Sequence, residues 1–72
     1  MNAMKLEKGS AFAEYYRFGT FHVIIQLPYG IDFGSDAFNW EVRSGNGNYI
    51  KSGNASTKPA AQAAAIQIIE SM

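Results

Sequence analysis

The sequence contains no cysteine, which excludes disulfides, thiolate metal sites and cysteine nucleophiles. Small secreted domains commonly rely on disulfides, so this absence points to a reducing, cytoplasmic setting. With a single histidine as well, no zinc centre can be assembled from the usual ligands, and neither metal nor cofactor is expected. Long hydrophobic runs are missing too. Aliphatic runs such as Val23-Ile24-Ile25 are far too short to span a bilayer. Met1 to Ser10 is polar and mixed in charge, without the apolar run of a signal peptide. No membrane partner is expected. Finally, neither sign of charge is in excess: six basic and six acidic residues give a net charge of zero. Nucleic-acid binders usually carry a basic surplus, because neutralising phosphates supplies much of their affinity. Nucleic acid is therefore the less favoured partner.

What is present is the composition of one small globular domain, residues 1–72, with 47% hydrophobic and 17% charged residues. A chain of this length buries only about 60% of its unfolded surface. Five Phe, four Tyr and one Trp are dense for such a body. The surplus rings either sit half-exposed around an aromatic core or form a contact surface.

Residues 1–16 admit two readings. Ala3 to Lys8 can form a short helix stopped by Gly9, or Ala13–Tyr16 can pair with the next segment through a turn near Gly19 and Thr20. Phe21 to Leu27 reads as a strand with Phe21, Val23, Ile25 and Leu27 on its core side. Pro28 ends it. The segment 28–36 reads as a loop that carries Tyr29, Ile31 and Phe33, either as a lid folded onto the core or as a binding loop.

Phe38 to Ser44 alternates cleanly, with Phe38, Trp40 and Val42 inward. Asn48 to Ser52 follows as the third strand. A three-residue loop, Gly45-Asn46-Gly47, keeps the faces consistent by pairing Arg43 with Tyr49, Val42 with Ile50 and Glu41 with Lys51. It predicts a positive φ at Gly47, and a larger penalty for Gly47→Val than for Gly45→Val. The last element is a helix, about Lys58 to Glu70 within residues 57–71. Ser56 or Thr57 caps it, and Pro59 lies in its first turn. Ala61, Ala65, Ile68 and Met72 form its predicted apolar stripe, flanked by Ala64 and Ile69. Ile66 lies off the stripe, at the core edge or as an exposed contact. The expected fold is α+β: an antiparallel sheet of three or four strands with one C-terminal helix on one face.

Catalysis finds little support. His22 falls on the polar side of its strand, and Asp32, Asp36 and Glu41 have no spacing that pairs them with it. The segment Gly53 to Thr57 precedes a helix, whose free amides are weakly anion-friendly.

The run Phe38–Val42, Tyr49–Lys51, Gly53-Asn54-Ala55-Ser56-Thr57-Lys58 and the alanine helix (Ala60, Ala64, Ala65) resembles the C-terminal half of a double-stranded-RNA-binding domain. The resemblance covers residues 38–70. It implies an α-β-β-β-α fold and duplex-RNA binding. That family's lysine cluster at the helix start is represented here by Lys58 alone, with Pro59 and Ala61 where basic residues would stand. In size and style the chain is also similar to small accessory proteins of bacteria and phages, including inhibitors that occupy a surface of a larger host complex.

Together these features favour a non-catalytic protein-interaction module, an accessory or inhibitory protein whose partner is another protein or a second copy of itself. The expected contacts are Tyr29, Ile31, Phe33, Arg43, Tyr49 and Ile66. The alternative is nucleic-acid binding through Arg17, Arg43, Lys51 and Lys58.

Overall fold

In the computed structural model, residues 4–27 and 37–72 are described. Tyr29, Ile31 and Phe33 lie outside them. The elements are β1 (Lys5–Gly9), β2 (Ala13–Phe18), β3 (Phe21–Gln26), β4 (Phe38–Arg43), β5 (Tyr49–Ala55) and α1 (Lys58–Glu70). The strands form one antiparallel meander in the order β1-β2-β3-β4-β5. The helix crosses one face, over β3, β4 and β5. The class is α+β, with five strands among the described residues where three or four were expected. Three strands precede the β4, β5 and α1 segments.

The additional strands come from residues 5–18. Lys5 to Gly9 is a strand instead of a short helix. Its residues are good helix formers, but so short a helix is marginal on its own, whereas the edge of β2 offers a row of backbone partners. A bulge lies between Leu6 and Lys8. Ser10 organises the turn to β2: its hydroxyl accepts from the N–H groups of Phe12 and Ala13. The second hairpin turns at Gly19 (φ 63°) and Thr20, as the alternative reading required.

The β4–β5 hairpin agrees with the predicted loop in pairing Arg43 with Tyr49 and in placing Gly47 at φ 92°. Beyond that pair the register departs. Val42 faces Lys51 and Glu41 faces Ser52, with a bulge that leaves Ile50 over. The cause is Trp40. An unbroken ladder would set Ser52 against it, whereas the bulge brings Gly53 there. A Cβ on Gly53 would lie 2.6 Å from Trp40 Cζ2 and 2.9 Å from Cε2, so the indole occupies the space that a side chain would need. β5 therefore runs on to Ala55, and Gly53 to Ala55 are strand, not the loop before the helix. Gly45 is constrained as well: a Cβ there would meet the Thr20 backbone oxygen at 2.8 Å. The predicted ranking of the two glycines thus loses its basis.

The core lies between the sheet and α1. Val23, Ile25, Val42, Ala61 and Ala65 are fully enclosed, with Tyr16, Phe18, Trp40 and Ile69 around them. Trp40 Nε1 is buried with no hydrogen-bond partner among the described residues.

Thr57 caps the helix, its hydroxyl accepting from Ala60 N–H at 3.2 Å. The buried line is Ala61, Ala65 and Ile69. Ile68 is half-buried and Met72 is 67% exposed, so the helix is rotated by about 40° from the expected stripe. Polar contacts on one flank account for the rotation. Lys58 Nζ reaches both carboxylate oxygens of Glu14 on β2, at 3.1 and 3.3 Å. Gln62, one turn on, reaches the Tyr16 hydroxyl.

Candidate functional site

The one helix packs on a single face of the sheet, and among the described residues no element covers the opposite, bare face. Alternation along each strand assigns that face, and the register arranges its side chains in cross-strand rows. The first row runs Lys5, Arg17, His22, Arg43 and Tyr49. The second runs Lys8, Tyr15, Ile24, Glu41 and Ser52. The third, at the other end, is an amide row of Gln26, Asn39 and Asn54. Neighbouring strands stand about 4.8 Å apart, so each row is a continuous ladder.

Ion pairs organise the basic row. Arg17 Nε lies 3.0 Å from Glu7. Arg43 Nε donates to Glu41, while Arg43 Nη1 donates to Gly47 O at 2.9 Å, so the guanidinium ties the hairpin loop to its strand. The Tyr49 hydroxyl and Ser52 Oγ are 2.9 Å apart. Tyr15 and Tyr49 remain 42% and 57% exposed. Beside Tyr15, between the second row and the amide row, a shallow trough of about 480 Å³ is lined by Tyr15, Ile24, Gln26, Asn39, Glu41 and Asn54, among others. Its floor is apolar at Ile24, and its walls offer an aromatic ring, amides and a carboxylate.

His22 sits between Arg17 and Arg43 in its row. Among the described residues no group of three His, Cys, Asp or Glu side chains could hold a metal ion. The perturbed ionisable groups lie on the helix-covered side. Hydrogen bonds from Tyr16 and Lys58 hold the Glu14 carboxyl below its ordinary value. Burial, then the bond to Glu14, pushes the Tyr16 hydroxyl up. These groups join β2 to the helix start, a structural role.

The structure thus divides the residues singled out from the sequence. Arg43 and Tyr49 lie side by side on the bare face. Ile66 is half-buried and packed against the core, so it is not an exposed contact. Arg17 shares the basic row with Arg43, but Lys51 lies on the other side of the sheet, and Lys58 is held by Glu14 at the helix start. The four nucleic-acid candidates therefore do not form one patch. Tyr15, Ile24, Gln26, Asn39 and Asn54 went unnoticed as a group. Alternation had already set His22, Ile24 and Gln26 on one side of β3, but which strands flank it depends on the sheet order.

No family model, curated protein or solved structure matches the chain. No helix among the described residues is long and apolar enough to cross a membrane.

Proposed function

We propose that the chain is a non-catalytic protein-interaction module that docks a partner protein on the bare face of its sheet. An accessory or inhibitory protein occupying a surface of a larger complex would work in this way. The observation that carries this reading is the make-up of the face: two exposed tyrosines and two arginines in adjoining rows, beside a trough lined by amides, a carboxylate and Ile24. Tyr and Arg are the residues most favoured as interface anchors. Five strands at about 4.8 Å and six residues at about 3.4 Å make a face roughly 20 Å on a side. That is about 400 Å², roughly half of what one partner contributes to a standard interface and in the range of a weak or transient one.

Nucleic acid is the second reading, favoured by Lys5, Arg17, His22 and Arg43 standing in one row. Against it, Glu7 pairs with Arg17 and Glu41 with Arg43, which sets negative charge beside the row. A single experiment separates the two. Tagged wild-type chain and the Tyr15→Ser/Arg43→Ala variant are used to capture partners from nuclease-treated and untreated bacterial lysate. A protein retained by the wild type after nuclease, and lost by the variant at unchanged melting temperature, supports the protein reading. Capture that disappears with nuclease and falls steeply with salt supports the other.

A further inference from the structure

The two edges of the sheet are built differently. β1 is short, fully exposed and bulged, and carries Lys5 and Lys8, the usual devices that stop an edge from pairing. β5 has seven residues, and its bulge lies at the hairpin end, so Lys51 to Ala55 continue in regular register with β4. Ser52, Gly53, Asn54 and Ala55 are uncharged and small, and no described strand pairs with their outer side.

Directly above this edge lies one flank of α1. Lys58 and Gln62 mark the flank that faces β2, so the opposite flank faces outward past β5. It consists of Ala60, Ala64, Gln67 and Ile68, without a charge.

We propose that two copies of the chain pair through β5 about a two-fold axis, forming one ten-stranded sheet with the two helices in contact. Same-face pairing requires that even sums of residue numbers meet. Centring on Gly53 sets Ser52 against Asn54 of the second copy, and Lys51 against its Ala55. The polar side chains can hydrogen-bond, and no like charges face each other. The spacing fits the helices too. The helix lies mainly over β4 and β5, about one strand spacing from the two-fold axis. Two helices related by that axis stand about 10 Å apart, the distance of packed helices with small residues between them. The shared side is about 24 Å long and two layers, about 20 Å, deep. That gives roughly 1,000 Å² over both copies, the lower bound of a specific interface. An extended peptide on the same edge would leave the alanine flank bare, which favours a second copy as occupant. The dimer leaves both bare sheet faces free, side by side, and is independent of the partner proposed for them.

The test is sedimentation equilibrium over about 5–500 µM, since association follows mass action. The wild-type mass should rise with concentration from 7.9 kDa towards twice that value. Ser52→Lys/Asn54→Lys sets lysines against lysines across the axis and should raise the dissociation constant about tenfold or more. Ala60→Glu tests the helix contact, and an acidic residue in the first turn favours the monomer's own helix. It should weaken the dimer similarly at unchanged circular dichroism. Tyr15→Ser/Arg43→Ala should leave the mass unchanged. A wild-type chain that stays monomeric throughout, or a dimer undiminished by either interface variant, overturns the proposal.

Discussion

Replacing Gly53 by alanine adds one methyl group at the tightest point of the fold. The new Cβ would lie 2.6, 2.9 and 3.2 Å from Cζ2, Cε2 and Nε1 of Trp40. The indole cannot easily retreat. It belongs to a central strand, is 7% exposed, and packs in a core with Val42, Ile25 and the helix alanines. Overpacking of a closed core costs about 1–3 kcal/mol, and contacts this short belong in the upper half of that range. Losing a glycine from the unfolded chain returns about 0.4–1 kcal/mol. The net destabilisation is about 1–2 kcal/mol, which for a domain of this size lowers the melting temperature by roughly 5–15 °C. Thermal unfolding followed by both far-ultraviolet circular dichroism and tryptophan fluorescence measures it, with coincident curves checking two-state behaviour. In a Trp40→Leu background the clash is gone, and the same substitution should be neutral or mildly stabilising. A Gly53→Ala protein that melts at or above the wild-type temperature would refute the account of the bulge, because the ring would then not need the vacant position.

Three further outcomes follow from the geometry. Gly45→Ala should destabilise by at least as much as Gly47→Ala, whose cost is about 1–2 kcal/mol for the positive φ, because the Gly45 methyl meets backbone; urea titration of both decides it. Thr57→Ala should cost about 1 kcal/mol by freeing the Ala60 N–H, while Thr57→Ser should retain most of the stability. The lowered Glu14 acidity means that its ionised form is favoured in the folded state, so its contribution is present above the ordinary value of 4.5 and is lost as pH falls through the lower folded value. Glu14→Gln should therefore flatten the acid limb of a plot of melting temperature against pH; an unchanged limb would show that the Lys58 and Tyr16 contacts do not hold in solution.

The sequence by itself determined the elements whose signals are local. Alternation marked β3 and β4, the Thr57–Pro59 start and the alanine run marked α1, and the glycine spacing gave the first pair of the last hairpin. Each depends on bonds or side chains a few residues apart. The tertiary structure decided what depends on distant partners. Lys5 to Gly9 is a strand because β2 offers it an edge. β5 bulges and extends because Trp40 leaves room only for Gly53. The helix turns its Lys58–Gln62 flank inward because Glu14 and Tyr16, more than forty positions earlier, lie beneath it. The candidate site is of the second kind throughout. Its rows join residues from five strands, and a period of two tells which residues share a side, not which strands lie next to one another or which side the helix covers.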